Sequence, residues 1–131
     1  MILALALLAC APEAPSGCLT FGGDVMLSRG IAREVREKGD PWAGLSGRWV
    51  ASLEGAVGTR PEGAPGEGRY FLGIEPDLAP VLGRGPLVAL SLATNHAGDL
   101  GASGRIATKL ALGRAGVEAL DEGGGPWLLQ V

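Results

Sequence analysis

Histidine is nearly missing from this 131-residue chain: His96 is the only one. Cysteine is scarce as well, with Cys10 and Cys18 alone. That excludes a cysteine-built zinc cluster and a disulfide scaffold. Aromatic residues make up 5% of the chain, so the core must rest on Leu, Val, Ala and Ile. Two lysines and nine arginines face 14 acids, for a net charge of −3. With no basic cluster and few aromatics there is neither a phosphate-tracking groove nor a stacking platform, which excludes nucleic acid as a partner. No apolar run approaches the roughly 20 residues of a membrane span. No serine sits in a nucleophile elbow.

What is there in quantity is small and apolar. Hydrophobic residues make up 47%, with 23 glycines and nine prolines. The chain should form one globular domain with many turns and short elements.

Residues Ile2–Ala9 are all Ile, Leu or Ala, and Cys10 follows. The run is near the lower length of a signal-peptide core. Leu7-Leu8-Ala9-Cys10 resembles a bacterial lipoprotein processing site, and residues 11–17 have the composition of a tether. We therefore expect residues 1–17 to be a leader and Pro-rich tether, with export to the cell envelope and a lipid anchor at Cys10. No Lys or Arg precedes the run, so a buried N-terminal strand or helix is the alternative. A Cys10–Cys18 disulfide competes with lipidation in an oxidising compartment. If Cys10 carries lipid, Cys18 is a single thiol, expected to be buried where an apolar strand opens.

Residues 18–131 alternate between strand and helix patterns. Cys18–Gly22 reads as a strand ended by Gly22-Gly23, with Asp24 at its tip. Leu27, Ile31 and Val35 recur at helical spacing up to Gly39 and Asp40-Pro41. A turn at Trp42–Leu45 precedes a second strand, Arg48–Leu53, and then Glu54. Ala56–Arg69 reads as an exposed loop, Tyr70–Leu72 as a small edge strand and Glu75–Leu82 as a short helix. A third strand, Leu87–Ala93, runs into Thr94-Asn95-His96. Ser103–Arg114 reads as a helix with Ile106 and Leu110 turned inward. Val117–Leu120 and Trp127–Val131 read as further strands. This order implies an α/β fold around a sheet.

Three strands thus end in groups that carry chemistry: Asp24, Glu54 and Asn95-His96. In an open α/β sheet, ligands sit beyond the carboxyl ends of the strands. Two carboxylates, an amide oxygen and an imidazole are a hard-to-borderline donor set of the kind that holds a divalent metal, and His96 would serve as general acid. Each has a plainer structural reading. Asp24 would cap the helix that follows, Glu54 would be a solvated acid, and Asp99 or Ser103 would cap the helix after His96.

Phe21-Gly-Gly-Asp-Val-Met-Leu-Ser-Arg29, Ala51-Ser-Leu-Glu-Gly55 and Leu92-Ala-Thr-Asn-His-Ala-Gly-Asp-Leu-Gly101 occur in that order. Together they resemble the CapA family of bacterial capsule or poly-γ-glutamate synthesis proteins, from about Leu19 to Val131. The resemblance implies a fold similar to the calcineurin-like metallophosphoesterases, here as a partial metallophosphatase-like sheet with flanking helices. It implies metal-ligand roles for Asp24, Glu54 and Asn95, and an acid or phosphate-contact role for His96. It implies a divalent cofactor (Mn, Zn or Mg), and an anionic surface polymer or its synthesis machinery as partner. Ser52 and Thr94 stand where the family usually has asparagine, and Met26 stands where many metallophosphoesterases have histidine. Family members run longer and carry further histidine motifs, so the resemblance implies an N-terminal part, truncated at its C-terminus, with an incomplete metal site. A non-catalytic polymer-binding or scaffold protein, or an inactive fragment, is the alternative.

Cys10→Ser should abolish membrane association if the leader is a lipoprotein signal. Fractionation of cells expressing the two forms checks this. A variant that partitions with membranes like the parent would defeat the lipid-anchor reading.

Overall fold

The computed structural model describes residues 18–59 and 71–121. The leader with Cys10, most of the Ala56–Arg69 segment, Tyr70 and the expected strand at Trp127–Val131 lie outside them. In chain order the elements are β1 (Thr20–Val25), α1 (Arg29–Lys38), β2 (Trp49–Leu53), β3 (Ala56–Val57), β4 (Gly73–Ile74), a 3-10 helix (Ala79–Gly83), β5 (Leu87–Ser91), α2 (Gly101–Arg114) and β6 (Glu118–Leu120). The fold is α/β, as the alternation implies.

Strands β1, β2, β5 and β6 form one parallel sheet in that order. Each new strand is added on the same side of the last. Right-handed crossovers then place all the connecting helices on one face. The core agrees with this. Ala32 and Val35 of α1, Ala51 and Leu53 of β2, Leu90 of β5 and Leu112 of α2 belong to one buried cluster. A smaller parallel pair, β3 with β4, extends the core through Val57 and Ile74.

Several elements differ from the sequence expectation. Gly22-Gly23 do not end the first strand. Phe21 pairs with Val50 and Asp24 with Ser52, so β1 takes one more step than β2 between the two pairs. This is a β-bulge, which glycine accommodates without breaking the ladder. Asp24 is therefore inside β1 and exposed. The expected loop at Ala56 opens instead with buried β3, and the edge strand expected at Tyr70–Leu72 is Gly73–Ile74. The expected helix Glu75–Leu82 is a turn followed by the 3-10 helix. Pro80 lacks the N–H that a regular α-helix would need there. Cys18 is a free thiol and half-buried rather than buried.

Helix α2 has the largest correction. Ile106 and Leu110 do not point inward; they are 60% and 56% exposed. Gly104, Thr108 and Leu112 face the core. Thr108 can be buried because its hydroxyl is fully used. It donates to the Gly104 carbonyl at 2.7 Å and accepts the Val57 N–H at 2.8 Å. The edge of β3 needs an acceptor more than α2 needs another aliphatic side chain, since an unpaired buried N–H costs about 1–3 kcal/mol.

Helix α1 follows its expected pattern. Leu27 and Val35 are buried and Ile31 is half-buried. Gly39 closes the helix at φ 90° and returns its N–H to the Val35 carbonyl. Arg36 ties α1 to the segment before the 3-10 helix, reaching Glu75 at 2.6 Å and Asp77 at 2.9 Å. Hydrogen bonds to Asp77 and then Glu75 raise the pKa of its guanidinium. Arg105 and Lys109 both pair with Asp121 and tie α2 to the end of β6.

Gly55 joins β2 to β3 with φ 145°, and a Cβ there would overlap the Leu72 carbonyl oxygen. Gly55→Ala should lower stability by about 1–3 kcal/mol from backbone strain, plus the displacement of Leu72. Gly23 has open space around it, so Gly23→Ala serves as the comparison. Urea unfolding of both variants checks this, and equal midpoints would contradict it.

Candidate site at the carboxyl edge of the sheet

Because the sheet is parallel throughout, the carboxyl ends of β1, β2 and β5 share one edge. Asp24 pairs with Ser52, and Val25 with Leu53. The Glu54 N–H then donates to the Val25 carbonyl at 2.9 Å, so the β1–β2 ladder runs on to the residue that carries the acid. Glu54 is half-buried and Asp24 is exposed.

Asn95 and His96 do not sit on a strand. β5 stops at Ser91, and residues 94–100 form consecutive turns before α2. The Ala97 N–H donates to the Thr94 carbonyl at 3.3 Å, and the Asp99 N–H to the His96 carbonyl at 3.2 Å. The Thr94 hydroxyl donates to the Leu53 carbonyl at 3.1 Å, which pins the start of this turn against the end of β2, next to Glu54. The structure thus brings Asp24, Glu54 and the Asn95-His96 turn to the same edge of adjacent strands. Asn95 is exposed and His96 half-buried.

Two residues outside the expected site organise it. Thr94 is one. Asp99 is the other, and it does not cap α2: the N-cap position is Leu100, without a side-chain cap. Asp99 Oδ2 lies 2.7 Å from His96 Nδ1 and accepts the Leu72 N–H at 2.8 Å. Their side chains are 15% and 20% exposed. A carboxylate acceptor at Nδ1 selects the tautomer with the proton there. Nε2 then carries the lone pair, and among the described residues it has no hydrogen-bond partner. The His-x-x-Asp spacing was the available signal, because it allows a turn to fold the carboxylate back onto the ring.

The four residues differ in what they can hold. Asp24 and Glu54 carboxylates with the Asn95 amide are of the right class for Mg, Mn or Zn. Among the described residues, however, no three His, Cys, Asp or Glu side chains converge as a ligand set. What the geometry does build is an imidazole held by one nitrogen and open at the other. Such a group can accept a proton at Nε2, or hold one there for an oxyanion.

The Asp99 contact predicts a single neutral tautomer of His96, with Nδ1 protonated. Imidazole ¹⁵N shifts measured by NMR check it directly. Asp99→Ala should mix the tautomers and, by leaving the Leu72 N–H unpaired, cost about 1–3 kcal/mol of stability. Unchanged ¹⁵N shifts in the variant would show that Asp99 does not orient the ring.

No helix among the described residues is long and apolar enough to cross a membrane. No curated protein and no solved structure matches the chain significantly. The family model described as bacterial capsule synthesis protein PGA_cap matches residues 18–121. That span takes in β1 through β6 and every residue of the carboxyl-edge site, so the chain belongs to the PGA_cap family of bacterial capsule synthesis proteins.

Proposed function

We propose that the chain acts at the bacterial cell envelope in the synthesis or release of an anionic surface polymer of the capsule or poly-γ-glutamate type. In this reading Asp24, Glu54, Asn95 and His96 form one wall of a metallophosphatase-like cleft. The observation that carries it is the placement of Asp24, Glu54 and the Asn95-His96 turn on one edge of a parallel sheet, inside the span matched by the family.

The roles follow from the chemistry of each group. His96, held at Nδ1 by Asp99, would first take a proton at Nε2 from the attacking water or hydroxyl and, as the imidazolium so formed, pass it to the leaving oxygen. Asp24 and Glu54 repel a polyanion when they stand alone. With Asn95 they are the donors that would hold a divalent cation, which would supply charge reversal and Lewis-acid polarisation of a bound oxygen. The donors on the described residues do not complete a ligand set. Export and a lipid anchor at Cys10 would hold the chain where such a polymer is made.

The second reading is a non-catalytic polymer-binding or scaffold protein of the same fold. The exposure of Asp24 and Asn95 favours it, since open side chains suit surface contacts better than an enclosed reaction.

Complementation of a deletion strain separates the two readings. Asp24→Asn, Glu54→Gln and His96→Gln should each lower the surface polymer at least about tenfold relative to the parent, in line with loss of an acid–base or charge-positioning group. Full restoration by all three variants, with the deletion itself defective, would instead support the scaffold. A deletion without effect on the polymer would overturn both.

A further inference from the structure

A second feature lies far from the carboxyl edge. A groove of about 540 Å³ runs between the 3-10 helix and the C-terminal half of α2, with Val57 and Gly58 also lining it. The walls are made of small apolar groups. Ala107 and Ala111 face it from α2, Ala115 from just past the end of that helix, and Ala79 and Gly83 from the 3-10 helix. Its volume is within the range of ligand pockets. Leu110, which is 56% exposed, extends the apolar surface at the rim.

Two arginines also line the groove, and the backbone places them together. A Cβ on Gly83 would overlap the Ala115 carbonyl oxygen, so the 3-10 helix and α2 touch backbone to backbone at that point. Arg84 follows Gly83 and Arg114 precedes Ala115. Both guanidiniums therefore arise at the same end of the groove. Among the described residues neither meets a carboxylate. Arg114 also answers the negative end of α2, but Arg84 is not on that helix. Along α2, Arg114 is about 20 Å from Gly101, where the His96 turn ends, so this site is separate from the carboxyl edge.

We propose that the groove binds a single-chain amphiphile with a phosphate monoester head. The apolar chain would lie along Ala107, Ala111 and Val57. The head would sit between Arg84 and Arg114. The charge match selects the head: a phosphate monoester carries close to two negative charges at neutral pH, and two guanidiniums offer two positive charges in a geometry suited to its oxygens. A carboxylate would leave one arginine unmatched, and a neutral alcohol would leave both.

Isothermal titration of the full chain with monododecyl phosphate, below its micelle concentration, tests this, with laurate and dodecanol as comparison ligands. Monododecyl phosphate should bind at least tenfold tighter than dodecanol and measurably tighter than laurate. The double variant Arg84→Glu/Arg114→Glu, on exposed or rim positions, should weaken the phosphate ligand at least tenfold and leave dodecanol unchanged. Ala111→Phe should abolish binding of all three by filling the groove, with circular dichroism confirming that the variant is folded. Equal affinity for monododecyl phosphate and dodecanol, tighter binding of laurate, or no loss in the arginine variant would each overturn the proposal. So would sedimentation showing a dimer that Ala111→Phe dissociates, because the groove would then be occupied by a second copy.

Discussion

Strand β2 pairs in parallel with β1 on one side and β5 on the other, and the rest of the structure depends on that pairing. Parallel strands cannot be joined by tight hairpins, so each connection must cross over the sheet. The crossovers run the same way each time, and the helices collect on one face with one shared core. The same pairing decides where chemistry can gather. Three carboxyl ends meet one edge, and side chains that follow them in sequence become neighbours although some 70 residues separate Asp24 from Asn95.

Local devices then set the details along that edge. The bulge at Gly22-Gly23 re-registers β1 just before Asp24. The Thr94 hydroxyl holds the turn to the last carbonyl of β2. Asp99 uses one oxygen for both the His96 ring and the Leu72 N–H, which couples the histidine to the segment entering β4. The site is therefore supported from β1, β2, β4 and the turn before α2. An imidazole held at Nδ1 and open at Nε2 is placed to take up a proton at that edge.

The groove at the other end of α2 arises from a different constraint. Alanines line α2 where it faces the 3-10 helix, and the glycine at 83 allows backbone contact with Ala115. Small residues bring the two elements close at one point and leave a space beside it. The larger aliphatic groups of α2, Ile106 and Leu110, are on the outside instead. The chain thus has two surfaces of opposite character: acids at the sheet edge, and arginines beside an apolar groove.

The sequence by itself determined the α/β class, the amphipathic α1, the main strands from Trp49 and Leu87, and the residues Asp24, Glu54, Asn95 and His96 as those to watch. These are read from periodicity, from glycine and proline punctuation and from motif order, all of which are local. Only the tertiary structure decided the rest. Thr108 is buried because a distant N–H, that of Val57, needs an acceptor, and the apolar count along α2 carries no trace of that demand. Asp99 is a ring-orienting acid rather than a helix cap because Leu72, 27 residues earlier, returns to meet it. β3 escaped notice and β4 was expected a few residues too early, at Tyr70–Leu72, because two-residue strands are too short for an alternating pattern to show. Local sequence records what a segment prefers, while hydrogen-bond partners far along the chain decide which of those preferences is kept.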